Sequence, residues 1–487
     1  MSTYWQNDTC NPLLAPNGTC ELGNIASYAV EVTNAASAAA GIQWARQRNL
    51  RLSIKNTGHD YLGRTNGKGS LALWTHHLNS MEVLNYTSPS YSGPALRMGA
   101  GVQSYKAISF VSQYGLRVVV GYCVTIGLAG GYSQNGGYGP LGSSYGTASD
   151  QTLEFEVMTA DGQHLVASST NNTDLYYALS GGGSGNYALV LSTTVKAHAD
   201  GPIAGTSFGY TSNNSSAFWE SIRLWHEQLL EFASIPGLST VFDITNNSLR
   251  ITLATWPGAS QSDIEDVFEP FIQQLNALDI TIDSKTTTYE PSFKAHYDAY
   301  PSSSPDVPIS SPDFAYPMNI ALGGRLVPKT FVETNLDRLL ATYQQILSND
   351  GVPLKGIAGA SNNVTHAVAG NKPGSNAVLP AWRDSLYTAS VGIVYSQESS
   401  PQDLAFYQAK VNEYQDLLRD IIPGSGAYVN EATYDNPHFK EDYYGDNYER
   451  LLEIKRKYDP HGVFWQHVAV GADVYWREDT EGRLCRV

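Results

Sequence analysis

The sequence is short of charge, and of positive charge above all. Only 16% of its residues are charged, and 30 Lys and Arg stand against 46 Asp and Glu, a net charge of −16. Binding a phosphate backbone needs stripes of Lys and Arg; none is present, so nucleic acid is excluded as a partner. Nor is there a basic amphipathic helix for a membrane surface, or an apolar run long enough to span a bilayer. Cysteine is scarce, at 4 residues in 487, and no Cys-X-X-Cys or His-X-X-X-His spacing occurs, so no metal site is expected. A dinucleotide-binding βαβ unit is excluded as well. The one superficial glycine fingerprint, SGGGSGN at 180–186, precedes a strand pattern where that motif needs a helix.

What is present describes a folded chain. At 487 residues and 42% hydrophobic content it is long enough for two or three domains. Tyrosine is abundant, 31 residues against 14 Phe; it packs and hydrogen-bonds at once, which suits pockets. Eight Asn-X-Ser/Thr sequons occur, at Asn7, Asn17, Asn85, Asn171, Asn213, Asn214, Asn246 and Asn363. With the low Lys content and the pair Cys10 and Cys20, they predict a secreted, N-glycosylated protein whose leader has been replaced by Met1. Cys10 and Cys20 close a short loop and read as a disulfide, leaving Cys123 and Cys485 over.

Along the chain, short strands are expected at 29–32, 50–54, 70–74, 95–99 and 117–120, with helices at 34–49, capped by Asn34, and 103–113. Residues 154–159 and 164–166 form a hairpin turned by Asp161-Gly162; a helix at 174–179 and a strand at 188–196 follow. From about 201 the texture changes to long amphipathic helices, at 217–233, 261–278, 329–347 and 401–421, alternating with strands at 249–255, 319–326 and 386–395. Residues 301–312 read as a Pro/Ser surface loop or lid. The tail offers a strand at 428–430 and a helix at 444–458, whose charged run reads as a solvated face. The fold class is α+β. Residues 1–202 and 426–487 form one unit, and 203–425 form a second, an antiparallel sheet covered by helices.

Two stretches stand out chemically. Residues 121–146, GYCVTIGLAGGYSQNGGYGPLGSSYG, surround a lone cysteine with glycines, which cannot be a stable helix interior and instead let backbone amides approach a bulky ligand. Residues 55–61, KNTGHDY, follow a strand directly, where free amides can receive an anion. Taken singly, His59 reads as a hydrogen-bonded structural residue and Cys123 as a small buried one.

Together they resemble the berberine bridge enzyme-like flavoproteins, within the vanillyl alcohol oxidase/p-cresol methylhydroxylase superfamily. RLSIKNTGHDY at 51–61 and the Gly121 stretch carry the resemblance. So do MTADG at 158–162, ALSGGGSGNY at 178–187, AYVNEA at 427–432, and NYERL with KYDPHGVF between 447 and 464. GHD, the start at 11–24 and PAWRD at 380–384 resemble the secreted fungal branch that includes isoamyl alcohol oxidases and secondary-metabolite oxidases.

The resemblance implies an FAD-binding domain of the p-cresol methylhydroxylase type in two parts, and FAD held covalently through His59 and Cys123. Ile54, Lys55, Asn56, Thr57, Gly58 and Asp60 would wrap it from one side. Gly121, Thr125, Gly127, Gly130, Gly131, Ser133, Gly136, Gly137 and Tyr138 would wrap it from the other, with Tyr187, Val190 and Gln466 as further contacts. Ile126 would stand where the family controls oxygen access, a β-branched residue suited to an oxidase. The implied reaction moves hydride from an alcohol-type substrate to flavin N5 and reduces O2 to H2O2. Tyr428 and Asn430, alternating on a strand, and Tyr387 are the expected catalytic residues, and a Tyr that often follows the Asn in the family is here Glu431. Arg325 is weighed as an anchor for an acid and read instead as half of a salt bridge. A monomer acting on a small molecule and O2 is expected. The alternatives are an oxidative cyclase of a fungal metabolite, a carbohydrate oxidase, and a vestigial flavin-binding protein.

Overall fold

The computed structural model describes residues 21–300, 320–352, 354–396, 399–479 and 482–487. The disulfide expected between Cys10 and Cys20 and the loop expected at 301–312 lie outside the described residues. The chain begins with a small parallel sheet in the order Tyr28–Glu31, Leu71–Trp74, Leu52–Lys55. The helix Ala35–Gln47 starts at Asn34 for a local reason. The Asn34 side chain accepts from Ser37 N at 2.9 Å, while the Ser37 hydroxyl accepts from Asn34 N at 3.1 Å. Ala38, Ile42 and Ala45 repeat at helical spacing and are buried against this sheet. The strand Leu52–Lys55 ends where KNTGHDY begins.

A five-stranded antiparallel sheet follows, in the order Met81–Ser88, Tyr91–Gly99, Ala188–Lys196, Thr152–Thr159, His164–Ser168. Its hairpin turns at Asp161-Gly162 as expected, with Gly162 at φ +88. The strand expected at 117–120 is curtailed. Leu116–Arg117 pairs with His198–Ala199, and Val118, Val119 and Val120 run on buried but unpaired into the glycine-rich stretch.

The third large sheet is antiparallel and seven-stranded. Its order is Ser284–Glu290, Ile203–Thr211, Ser248–Pro257, Ser239–Ile244, Leu354–Ser361, Ser385–Val394, Ile320–Pro328. The helices Ser215–Phe232, Gln261–Ala277, Lys329–Leu347 and Pro401–Ile421 bury Trp225, Phe268, Leu339 and Leu418 in its largest hydrophobic cluster. Four of these strands, among them SKTTTYE and LKGIAGAS, carry too little alternation or apolar bulk to announce themselves.

The tail corrects two expectations. Residues 428–430 are not a strand: Val429–Glu431 is a single 3-10 turn, entered from an extended Tyr428. The helix begins at Tyr448 and ends at Tyr458, and its charged run is not all solvated. Lys455 is fully buried, donating to Asn186 O at 2.6 Å, Phe464 O at 2.8 Å and Asp459 at 2.6 Å, and so fastens the tail to the end of the SGGGSGN loop.

Candidate functional site

The two motifs meet. His59 Nε2 lies 2.7 Å from Thr125 Oγ1, and Cys123 Sγ lies 3.7 Å from the same oxygen. His59 is open to solvent along one side but set in surrounding protein, and this desolvation lowers its pKa to about 4, leaving the imidazole neutral above that pH. Gly58 takes φ +89 at the bend that turns His59 outward, a conformation costly for any residue with a Cβ. The segment bearing Cys123 is laid along the start of the helix Ser104–Ser112. Ser104 N donates to Ile126 O at 3.1 Å, Tyr105 N to Val124 O at 3.0 Å, and Gln103 Nε2 to Thr125 O at 2.9 Å. From the other side the Tyr297 hydroxyl donates to Gly121 O at 2.8 Å.

Asn56 explains two of the glycines. Its Nδ2 donates to Ala100 O, and a Cβ on Gly127 or Gly130 would come within 2.6 or 2.9 Å of that nitrogen. Asp60 is largely covered and is bound by Arg64 through Nε at 2.9 Å and NH2 at 2.6 Å. Burial works against its charge, but Arg64 prevails and holds Asp60 below the usual carboxylate range. Arg64 NH2 also donates to Asn430 Oδ1 at 2.9 Å. Asn430 completes its amide through Asn135 at 2.7 Å, Gly131 O at 3.0 Å and the Tyr428 hydroxyl at 2.7 Å. It therefore ties together KNTGHDY, the glycine-rich stretch and the tail, and keeps no proton-accepting capacity for chemistry.

Sequence reasoning passed over the residue with the most suitable chemistry. Glu431 follows Asn430, and its Oε2 accepts from the Tyr138 hydroxyl at 2.7 Å and the Ser390 hydroxyl at 3.2 Å. Burial raises its pKa, and these two hydrogen bonds offset the rise only in part. Burial raises the pKa of nearby Tyr61, and Glu431 and then Cys123 add to the rise. The one signal in the sequence was that an acid stands where the family often carries a Tyr.

Other expected residues lie elsewhere. Tyr387 is not at the site. It points into the helix-covered core, bonded to His226 Nε2 at 3.0 Å and the Tyr343 hydroxyl at 2.7 Å, because odd-numbered residues of Ser385–Val394 face the helices. Tyr187 is fully buried with its hydroxyl on Gly182 O at 2.8 Å, and Val190 packs in the same cluster. Ser133 donates to Leu128 O at 2.6 Å, while Gly136 and Gly137 lie against Val378 and Tyr132. Arg325 is spent on Asp442 at 2.5 Å and Ile422 O at 2.8 Å, which leaves it no role as an acid anchor. Among the described residues no group of three His, Cys, Asp or Glu could hold a metal ion, and no helix is long and apolar enough to cross a membrane.

Residues 26–168 match a family described as FAD binding domain, and residues 427–471 one described as berberine and berberine like. A VAO-type flavoprotein oxidase of Thermothelomyces thermophilus is 37% identical over 494 residues, spanning 100% of this chain and 83% of that one. The chain belongs to the berberine bridge enzyme-like family of VAO-type flavoproteins. It is an FAD-linked oxidoreductase. The crystal structure of a VAO-type flavoprotein from Myceliophthora thermophila C1 matches with a TM-score of 0.90 at 36% identity, over 100% of this chain and 87% of that one. At 19% identity a glucooligosaccharide oxidase from Acremonium strictum shares the fold, with a TM-score of 0.72 over 92% of this chain and 94% of that one. That oxidase is described as carrying a 6-S-cysteinyl, 8α-N1-histidyl FAD.

The residues present suit a flavin dinucleotide. Asn56 Oδ1 and Gln466 Oε1 are buried without a hydrogen-bond partner. No described residue accepts from the backbone amides of Thr57, Gly58 and His59. Unsatisfied donors in a glycine-containing bend suit a diphosphate.

Proposed function

We propose that the protein is an oxidase of an alcohol-type substrate that holds FAD covalently at His59 and Cys123, with Glu431 as the proton acceptor. The observation that carries this is that Glu431, a half-buried carboxyl with a raised pKa, is held at 2.7 Å by the Tyr138 hydroxyl of the glycine-rich stretch that also bears Cys123. The described linkage of the Acremonium strictum oxidase supports the two anchors, since His59 and Cys123 converge on one hydroxyl here. Thr125 occupies His59 Nε2, which leaves Nδ1 as the nitrogen open to bonding. When bound, the flavin supplies the two-electron acceptor and the passage of those electrons to dioxygen.

This chain's own groups do the rest. Glu431 takes the hydroxyl proton as the substrate carbon gives up hydride, and the Tyr138 and Ser390 hydroxyls aim its carboxylate. Two electrons and two protons leave the alcohol, which becomes a carbonyl, and H2O2 is the reduced product. Ile126 lies against Gly121 in the Cys123 loop, where a β-branched side chain suits oxygen access. Residues 1–202 and 426–487 serve the cofactor and 203–425 the substrate. Secretion as an N-glycosylated monomer completes the assignment, in keeping with the exposed sequons at Asn85, Asn213 and Asn246.

An oxygen-electrode screen of purified holoenzyme against alcohols, with peroxide measured alongside, tests the reaction. Stoichiometric H2O2 with a carbonyl product is expected. Oxygen consumption with no alcohol, or flavin released by acid into the supernatant, would defeat the proposal.

A further inference from the structure

The four long helices cover one face of the seven-stranded sheet. Phe242 and Ile244 on Ser239–Ile244, Ile357 on Leu354–Ser361, and Ala389 and Val391 on Ser385–Val394 are buried in that helix-covered cluster. Alternation sends their neighbours Asp243, Ala358 and Ser390 to the other face. The register sets these three in one row across adjacent strands, Asp243 paired with Ala358 and Ala358 with Ser390. The Ser390 hydroxyl holds Glu431 at 3.2 Å, so one end of the row carries Glu431 and the other is Asp243. Two strand spacings, about 10 Å, separate Ser390 from Asp243.

Between them the floor is low and open. Ala358 supplies only a methyl group and is partly exposed, as are Asp243 and Glu431. In the next row on this face Gly356 pairs with Gly392, so no side chain rises there. Among the described residues, a Cβ on Gly356 would meet only Ile244 O, at 3.3 Å. Solvent thus reaches the floor between the two carboxyls.

Asp243 is the group on this floor whose charge is unanswered. Among the described residues no hydrogen bond or ion pair reaches its carboxyl. Arg250, opposite it on Ser248–Pro257, is exposed and acts only from a distance. The surrounding protein takes water from the carboxyl and raises its pKa to about 6, and Arg250 offsets part of the rise. A polar group enclosed this far is ordinarily given a partner. A cationic nitrogen would supply one through a charge-assisted hydrogen bond. A carboxylate would be repelled by Asp243 and Glu431 alike. The net charge of −16 draws molecules of the same sign of charge, positive, to the surface.

We propose that Asp243 is a specificity residue that binds a cationic nitrogen of the substrate at the far end of this sheet floor, so that the preferred substrate is an amine-bearing alcohol with its hydroxyl at Glu431. The substrate class rests on the assignment of Glu431 above; the cation site does not.

Benzamidine, benzamide and benzoate share one shape, differ in charge and are not alcohols, so they report binding alone. Calorimetric titration of the holoenzyme, in buffer well above the raised pKa of Asp243, should find benzamidine bound about tenfold more tightly than benzamide, with benzoate weakest. Asp243→Asn should weaken benzamidine about tenfold and benzamide by less than about twofold. Asp243→Ser makes the same comparison should the Asn variant not fold. Unchanged benzamidine affinity in both variants, benzamide or benzoate binding as tightly as benzamidine, or no binding of any of the three would overturn the site. Glu431→Gln should leave the preference in place; its loss there would assign the cation to Glu431 and overturn the site as well. In turnover, 4-(aminomethyl)benzyl alcohol should exceed 4-methylbenzyl alcohol about tenfold in kcat/KM, and Asp243→Asn should erase the difference through KM. No difference in the native enzyme would defeat the substrate class. If the holoenzyme oxidises no alcohol while benzamidine binding still depends on Asp243, the oxidase reading falls and the cation site stands.

Discussion

Thr125 Oγ1 lies 2.7 Å from His59 Nε2, so one hydroxyl fixes the imidazole from the ring nitrogen that the proposed covalent bond leaves unused. The same hydroxyl is 3.7 Å from Cys123 Sγ. The two proposed anchors are thereby oriented by a single side chain.

Removing that hydroxyl should uncouple them. Thr125→Val is expected to keep flavin on the Cys123 peptide and to lower the fraction carried by the His59 peptide, as read by mass spectrometry of a digest. An unaltered distribution would show that Thr125 does not orient His59.

The raised pKa of Glu431 has a kinetic sign. Protonation removes its accepting capacity, so kcat/KM should fall on the acid side, with the limb centred above the ordinary carboxylate range. Glu431→Gln should lower kcat by roughly 10²- to 10⁴-fold, flatten that limb and leave flavin content unchanged. A limb that survives in Glu431→Gln would place the titrating group elsewhere.

Asn430 should matter to stability more than to proton transfer. Asn430→Leu leaves Arg64, Asn135 and Gly131 O short of partners, at a cost of about 2–4 kcal/mol. Lower thermal stability and poorer flavin loading are expected, with the pH profile of the loaded fraction unchanged. A shifted profile would contradict this division of labour.

The sequons should not be equal. Asn363 Nδ2 donates to Ala233 O at 3.1 Å, so the amide that would carry a glycan is engaged inward, whereas Asn85 and Asn246 are exposed. Glycopeptide mapping of secreted protein should find sugar at Asn85 and Asn246 and none at Asn363. Sugar on Asn363 would require that hydrogen bond to break.

Legibility followed locality. Asn34 announced its helix because a cap is decided within four residues, and the Asp161-Gly162 hairpin is equally local. His59 and Cys123 were legible because their motifs are contiguous in sequence. Tyr387 was misplaced because strand parity alone does not say which face the helices cover. Glu431 was passed over because its partners, Tyr138 and Ser390, come from two distant stretches. Asn430 sat in the right place for the wrong reason: a 3-10 turn, not a strand, brings it beside Tyr428.

The contact from Arg64 to Asn430 spans 366 residues of chain. During synthesis the first wall of the cradle therefore emerges long before the residue that closes it. A ribosome-bound fragment lacking the tail holds both proposed anchor residues but not Asn430, which ties Arg64 to Gly131. Cofactor capture becomes a late event, and a chain released early should leave the ribosome colourless.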